Sequence, residues 1–228
     1  MLSEQEWIIL GTSLSVALRA LAFSLPLAIA AAWALSRPKL PGRSVFDALV
    51  HLPVVLPPVL VGFLLLLAFG RRGPIGSWLE NTFGITLAFT AEGAALATAV
   101  MTFPILVRSI RISFELADPE LFDAAATLGA GPWDRFFSLA LPMAAPAVLA
   151  GAVTAFAAGL GEFGAVITFA ANVPGETQTL PLAIYSALQT PGGEAQALRL
   201  GGLSLVAALA GLVCAELLQR WAVRRMAS

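Results

Sequence analysis

The sequence predicts an all-α integral membrane protein, and three observations lead to this fold class. Of the 228 residues, 58% are hydrophobic and 12% are charged. The mean hydropathy is +0.86, whereas a soluble domain carries about a quarter of its residues as charges. Apolar stretches of about twenty residues, the length that crosses a bilayer as a helix, recur along the chain. We therefore expect a single transmembrane domain over residues 1–228 with five spans.

The predicted spans cover approximately 8–35, 48–69, 87–110, 139–158 and 197–221. In the first span Pro26 is expected to kink the helix, and Arg19 lies near the middle, where a charge is costly in lipid. We expect Arg19 to snorkel or to face a partner helix in preference to binding an anion. The acidic N-terminus lacks the basic segment of a cleaved signal peptide, so the first span is expected to stay in the mature protein.

The second span begins with three prolines within six residues: Pro53, Pro57 and Pro58. Each proline lacks an N–H and blocks the preceding turn, so no regular helix is expected there. The carbonyls that lose their partners are tolerated at membrane depth only against protein or water. This segment is therefore predicted to line a pore or a packing surface.

A glycine-rich segment interrupts the apolar run after the fourth span. The nine apolar residues 163–171 are too few to cross a bilayer, so they either extend the fourth helix or form a half-helix. Glu162 fits a gate or an external contact as well as it fits a hinge with a surface carboxylate, and Phe163 fits core packing better than a constriction. The candidate pathway and gate residues are Pro53, Pro57, Pro58, Gly159, Gly161, Glu162, Phe163, Gly164 and Thr168.

Residues 118–142 are the longest segment that reads as structured but cannot lie in a membrane. Asp118 can cap a helix that starts at Pro119, and Gly129 supplies its stop. A second helix is expected to start at Gly131-Pro132 and to run into the fourth span. The resulting helix–turn–helix presents a small face of alanines and a bulky face whose side chains can fill a groove on another protein.

This segment resembles the EAA motif of ABC-importer permeases, EAA-x3-G-x9-I-x-LP. The matching residues are Asp123-Ala-Ala, Gly129 and Leu139-x-Leu141-Pro142, with Asp in place of Glu and Leu in place of Ile. The resemblance implies that residues 118–138 form a cytoplasmic coupling loop that docks on a separate ATPase subunit. The implied coupling residues are Asp118, Leu121, Phe122, Asp123, Ala124, Ala125, Ala126, Gly129, Trp133, Arg135 and Pro142.

The distribution of basic residues gives an orientation if this loop is cytoplasmic. The outside then holds Arg71, Arg72 and Arg199. The inside holds Arg37, Lys39, Arg43, Arg108, Arg111, Arg135, Arg220, Arg224 and Arg225. Nine basic residues against three predict an N-terminus outside and a C-terminus inside. The Arg71-Arg72 pair is the exception to the excess of basic residues on the inside.

Enzyme and nucleic-acid functions find no support in the sequence. The formal net charge is −1 and the basic residues form no patch, which argues against nucleic-acid binding. One cysteine and one histidine, His51, exclude a cysteine or histidine metal site, and no catalytic residues are predicted. No GxxxxGK[ST] motif is present, so the ATP and Mg²⁺ of transport are expected on another subunit.

Further segments resemble the molybdate permeases of the ABC importers, the ModB type. They are His51–Gly62, Gly161-Glu-Phe-Gly164, Asn172–Thr177 and Thr190–Glu194, in the same order and over nearly the whole chain. The third and fourth segments lie in a predicted outer loop, residues 172–195. The candidate contacts to a binding protein in this loop are Asn172, Gly175, Glu176, Thr177, Gly192, Gly193 and Glu194.

The resemblance implies a type-I, MetI-like permease of the bacterial inner membrane that imports molybdate, and tungstate as a near isostere. It implies a homodimer in the lipid bilayer, two ATP-binding subunits and a periplasmic molybdate-binding protein. A pathway with few fixed charges would leave selectivity to that binding protein. The alternatives are a sulfate or thiosulfate permease, which shares the GEFG segment, and, with less support, an intramembrane enzyme or a membrane scaffold that does not transport.

Overall fold

The computed structural model describes residues 3–37 and 40–226, except for the side chains of residue 215 and of residues 218–226. Within this part the chain is entirely helical, with one π-helical segment at Phe136–Ala140. The α-helices are α1 (Glu4–Ser36), α2 (Arg43–Val55), α3 (Pro58–Phe69), α4 (Pro74–Phe83), α5 (Ala91–Glu115), α6 (Pro119–Thr127), α7 (Pro132–Arg135), α8 (Leu141–Leu160), α9 (Gly164–Ala170), α10 (Leu180–Leu188) and α11 (Glu194–Met226). Of the basic residues counted for orientation, Lys39 and the side chains of Arg220, Arg224 and Arg225 lie outside the described part.

Four helical segments of the described part are long and apolar enough to cross a membrane. They are Glu4–Ser36, Ala91–Glu115, Pro132–Leu160 and Glu194–Cys214. Helices α2 and α3 make a fifth span only if they are counted together, because they meet at an angle of 116°. The span expected at 48–69 is therefore a broken pair of helices.

The break between α2 and α3 lies at the second and third prolines of the predicted group. Helix α2 ends before Leu56 and Pro57, and Pro58 occupies the first position of α3. Proline is tolerated at a first helical position because the N–H that it lacks would have no intrahelical partner. Pro53 behaves differently from the expectation, since it lies inside α2 near the end of that helix.

Small side chains let the three central helices approach closely. Alanines of α1 and α5 are buried against each other, among them Ala17, Ala28 and Ala97. A Cβ added to Gly159 of α8 would lie 2.9 Å from the Thr98 Cγ2 atom of α5, so Gly159 is a contact point between these helices. Such contacts are typical of helix packing in membranes, where no hydrophobic effect drives helices together. Gly159 is therefore a packing contact between α8 and α5 in this structure.

The segment after the fourth span forms a half-helix. Helix α8 ends at Leu160, and after a short break α9 occupies Gly164–Ala170, ending at Ala171 with φ at +62°. This geometry decides between the two alternatives left open by the sequence. Helix α9 packs against α3 and α5, and Phe169 is fully buried there.

Two polar contacts join the ends of the helices on the side of the 172–195 loop. The Glu6 carboxylate of α1 accepts from Arg199 of α11 at 2.8 Å. The Ser13 hydroxyl accepts a hydrogen bond from the backbone N–H of Leu180 at 2.7 Å. The ends of α1, α10 and α11 on this side of the helix bundle are thus held to each other.

Arg19 of α1 faces another helix in the structure. Its Nη1 atom lies 3.0 Å from the Glu92 Oε1 atom of α5, and the two side chains form an ion pair. Pairing lowers the cost of a charge at membrane depth. Arg19 is therefore engaged within the chain, in agreement with the expectation that it meets a partner helix.

Candidate functional site

Helix α6 of the 118–138 loop is closed at both ends by its own backbone and cap. The Asp118 carboxylate accepts from the backbone N–H of Glu120 at 2.9 Å. At the other end the N–H of Ala130 donates to the carbonyl of Ala125, and the N–H of Gly129 donates to that of Ala126, both at 3.0 Å. These two bonds form a Schellman motif, in which the residue after the helix takes a positive φ. Gly129 has φ at +89°, a conformation that glycine adopts without strain.

The side chains of this loop face outward to an unusual degree for such an apolar segment. Helix α6 contains no buried residue, and Leu128 and Trp133 are 88% and 74% exposed. Leu121 is 47% exposed on the same helix. Large apolar side chains held out on a rigid hairpin form the kind of patch that marks a protein–protein contact. The alanines Ala124 and Ala126 are also exposed, which leaves one face smooth.

Phe122, one of the predicted coupling residues, packs partly against the rest of the chain. It is half-buried, and its ring centroid lies 6.3 Å from that of Trp33 in α1. Trp33 also contacts Phe114 of α5 and Phe136, each with ring centroids 5.2 Å apart. Phe122 therefore anchors the loop, because it packs α6 against an aromatic cluster of Trp33, Phe114 and Phe136 at the ends of α1 and α5.

Arg135 adds a hydrogen bond next to this aromatic cluster. Its Nη1 atom donates to the backbone carbonyl of Phe122 at 3.4 Å, which links the second helix of the loop to the first. Sequence reasoning identified Arg135 and Phe122 but missed Trp33, Phe114 and Phe136. The signal available for Trp33 was its position close to the end of the predicted span 8–35.

A cluster of charged residues joins α2 to the end of α5. Arg111 lies 2.9 Å from Asp47 of α2 and 2.8 Å from Glu115. Glu115 also accepts from Arg43 at 2.8 Å. His51 Nδ1 contacts Asp47 at the backbone carbonyl, at 2.9 Å, so the histidine is satisfied within its own helix. The cluster was not predicted, although Arg108, Arg111 and Glu115 share one face of α5 by their spacing.

The candidate pathway residues do not all lie together. Gly164 and Pro58 meet where α9 crosses α3, since a Cβ on Gly164 would lie 2.7 Å from the Pro58 Cβ. One turn further, a Cβ on Gly62 would lie 2.8 Å from the Thr168 Cβ. The structure thus brings Pro58 and Thr168 to one crossing of the half-helix with the broken span. Pro53 and Pro57 lie before that crossing on α2 and at the break, and Gly159 lies elsewhere.

Glu162 caps the half-helix. Its Oε1 atom accepts from the backbone N–H of Ala165 at 2.9 Å, and the side chain is half-buried. Gly161 beside it is exposed, and the Phe163 ring packs on Tyr185 of α10 with centroids 5.2 Å apart. The carboxylate therefore stabilises the start of α9.

The 172–195 loop exposes only some of its candidate contact residues. Gly175, Glu176, Gly192 and Glu194 are exposed, mostly at the tips of turns. Asn172 is half-buried: its Nδ2 donates to Ser186 at 2.6 Å and its Oδ1 accepts from Gln178 at 3.0 Å.

Two of the predicted contact residues are buried, which corrects the prediction for them. Thr177 is 0% exposed, and its hydroxyl accepts from the N–H of Val173 at 3.0 Å. A Cβ on Gly193 would lie 2.1 Å from the Ala187 carbonyl oxygen. Both residues are therefore needed to shape the loop, and neither forms part of its exposed surface.

Comparisons with known proteins place the chain among transport proteins. Residues 24–228 match the family described as the binding-protein-dependent transport system inner membrane component. The molybdenum transport system permease ModB of Escherichia coli K12 is 51% identical over 219 residues, 96% of this chain and 96% of that protein. ModB of Haemophilus influenzae is 50% identical over 217 residues, 95% of this chain and 93% of that protein. The sulfate permease CysW of Synechococcus elongatus is more distant, at 38% over 181 residues, 78% of this chain and 63% of that protein.

Solved structures with little sequence identity share the fold. A bacterial alginate ABC transporter in complex with its periplasmic protein aligns with a TM-score of 0.74 at 19% identity, over 93% of this chain and 77% of that chain. The inward-facing methionine ABC transporter MetNI aligns with a TM-score of 0.70 at 14% identity, over 97% of this chain and 99% of that chain. At such identities the likeness concerns the fold alone.

Proposed function

The chain belongs to the family of binding-protein-dependent transport system inner membrane components, and from this premise we propose that it is the permease subunit of a molybdate importer. The observation that carries the proposal is the identity of 51% to a molybdate permease over 96% of both chains. The sulfate relative matches less of this chain at lower identity. Molybdate is therefore favoured over sulfate as the substrate, and tungstate is expected to be carried as well.

We propose that the 118–138 loop is the contact to a separate ATPase subunit, which holds the ATP and Mg²⁺. The exposed Leu121, Leu128 and Trp133 support this assignment, because they need an apolar groove to cover them. The capped termini of α6 support the assignment too. A helix whose terminal backbone groups are hydrogen-bonded is expected to keep its shape when a partner protein moves it. The loop then lies in the cytoplasm of a bacterial inner-membrane protein, with the N-terminus outside.

A movement of this loop would reach the membrane helices through the aromatic cluster around Trp33. Phe122 packs on Trp33 of α1, and Trp33 packs on Phe114 of α5, so a displacement of α6 bears on two long helices at once. Helix α5 is in turn joined to α2 through the ion pairs of Arg111. A close-packed chain of this kind transmits a movement because its members cannot be compressed independently.

We propose that molybdate passes between two copies of the chain, along the broken span and the half-helix. The crossing of α3 and α9 offers Thr168, backbone groups and apolar side chains, and few fixed charges. Weak contacts suit a transport route, because a site that holds a dianion tightly releases it slowly. Selectivity would then come from a periplasmic binding protein that docks on the exposed tips of the 172–195 loop, Gly175, Glu176, Gly192 and Glu194.

Uptake by cells that lack their own molybdate permease tests this function. The chain, expressed with its ATPase and binding protein, is expected to restore accumulation of labelled molybdate. A tenfold excess of tungstate should suppress that uptake, and a tenfold excess of sulfate should leave it unchanged. Suppression by sulfate but not by tungstate would instead assign the chain to the sulfate permeases. No uptake of either anion, with the chain present in the membrane, would refute the transport function.

A further inference from the structure

A cavity of about 500 Å³ opens between α2 and α5 at the end of α5 that leads into the 118–138 loop. Five of the seven residues that line it have charged or titratable side chains. The side chains that line it are Asp47, Ala48, His51, Arg108, Arg111, Ile112 and Glu115. The transport route proposed above has few charges, so a charged cavity near its inner end needs an explanation of its own.

The charges around this cavity do not balance. Arg43 pairs with Glu115, and Arg111 is shared between Glu115 and Asp47. Two arginines and two carboxylates line the cavity, and Arg43, which lies outside the lining, adds a third guanidinium group through its pair with Glu115, so three guanidinium groups accompany two carboxylates. Arg108 is exposed, and it forms no ion pair or hydrogen bond with any residue in the described part of the chain.

We infer that this cavity is a low-affinity site for a tetrahedral oxyanion, with Arg108 as the group that binds it. The inference rests on the proposed function, in which molybdate leaves the protein on this side. A guanidinium group offers a planar set of donors that matches two oxygens of an oxyanion.

The surrounding ion pairs keep the site weak. Asp47 and Glu115 occupy the donors of Arg43 and Arg111 and repel an incoming dianion, so a single free arginine remains to hold it. A dianion is thereby drawn towards the cytoplasm without being trapped, as conduction requires. Glu115 is also three residues from Asp118, the cap of α6, so movement of the 118–138 loop can open or close the site.

Tungstate binding to the full-length chain in phosphatidylcholine nanodiscs tests the inference. Bound tungsten is measured by equilibrium dialysis and mass spectrometry of the metal. Arg108→Gln is expected to weaken binding about tenfold or more, the loss typical of a hydrogen bond to a charged group. The matched control is Arg72→Gln, which removes an exposed arginine of the loop between α3 and α4 and should not change binding.

A second variant is expected to act in the opposite direction. Glu115→Gln removes one carboxylate and frees donors of Arg43 and Arg111, so tungstate should bind severalfold more tightly. In cells the same variant should take up molybdate more slowly, because release becomes harder. Damage to folding cannot produce tighter binding, so this result separates a site from a structural role.

Three results would overturn the inference. The first is equal tungstate binding by the wild type and by Arg108→Gln. The second is a lack of saturable tungstate binding to the wild type. The third is a lipid headgroup in the cavity: phosphatidylglycerol nanodiscs would then retain more lipid on the wild type than on Arg108→Gln, with no tungstate difference. Normal molybdate uptake by the wild type alongside any of these results would leave the proposed function intact and refute the site alone.

Discussion

The loops on either side of the α8–α9 segment are built in opposite ways. In the 118–138 loop, α6 contains no buried residue and Leu128 projects almost completely free. In the 172–195 loop, residues 177–180 are all buried and Asn172 is held by Ser186 and Gln178. The hydrogen bonds that end α6 join groups of its own backbone, whereas the side-chain hydrogen bonds of the second loop join residues within that loop, and the Leu180 N–H links it to Ser13 of α1.

The two loops are therefore suited to different kinds of contact with another protein. A helix with closed ends and free apolar side chains keeps its shape while it moves, so it suits a contact that transmits force. A loop that is held by internal side-chain hydrogen bonds and whose Leu180 N–H donates to Ser13 of α1 is expected to move with the helix bundle. Such a loop suits a docking platform, because its exposed tips stay in a fixed arrangement.

The largest effect on the 118–138 loop is expected from Gly129→Val. A β-branched residue at φ +89° costs about 1–2 kcal/mol in the left-handed region, and the Schellman motif that ends α6 should open. Because 1.4 kcal/mol is a factor of ten, molybdate uptake should fall by about tenfold or more while ATP hydrolysis persists. Uptake of labelled molybdate and ATPase activity in membrane vesicles measure the two quantities.

Gly131→Ala is the matched control for this substitution. Gly131 lies two residues away with φ at −68°, and an added Cβ meets no atom within 4 Å, as at Gly129. Uptake should therefore remain close to that of the wild type. Equal uptake by Gly129→Val and Gly131→Ala would show that the end of α6 has no part in coupling.

A smaller effect, and one on stability, is expected from Thr177→Val in the other loop. The change keeps the shape of the side chain but removes the hydroxyl that accepts from Val173 and donates to Ala171. The loss should cost about 1–2 kcal/mol, or about 2–8 °C in Tm, measured by thermal unfolding in detergent. Thr190→Val, an exposed hydroxyl in the same loop, should leave Tm unchanged. A Tm that stays constant in Thr177→Val would remove the contrast between the loops.

The smallest effect on the chain itself is expected from Leu128→Ala. Because the side chain is 88% exposed, the free energy of unfolding should change by less than about 0.5 kcal/mol. Association with the ATPase subunit should nevertheless weaken severalfold, as measured by co-purification at defined concentrations. Leu188→Ala, an exposed leucine of the 172–195 loop, should change neither quantity. Unimpaired association of Leu128→Ala would argue that the contact lies elsewhere.

The parts of this structure that the sequence predicted depend on local signals. The start of α6 at Pro119, its stop before Gly129 and the break at Pro57 each follow from residues that act on their own backbone. The composition was sufficient for the all-helical class, which the comparisons confirm. The motif of residues 123–142 was sufficient for the family.

The parts of the structure that were not predicted from the sequence depend on contacts between residues far apart in the chain. Arg43 and Glu115 are 72 positions apart, and neither reveals the other by spacing. The contact of Phe122 with Trp33 was not predicted, because an isolated helical pattern does not show which distant side chain will lie against it. Thr177 and Gly193 resembled surface residues because they sit among turn signals, whereas both are buried in the folded chain.

The π-helical segment between α7 and α8 sets the angular phase of the 118–138 loop. Its bond from the Leu141 N–H to the Phe136 carbonyl spans five residues in place of four, which accommodates one extra residue in the helix. That residue lets Phe136 turn inward while Phe137 stays exposed. Deleting one residue here would rewind the segment as an ordinary α-helix and rotate the loop by about 100° relative to α8. The number of residues in this π-helical segment therefore sets the direction in which the 118–138 loop faces relative to α8.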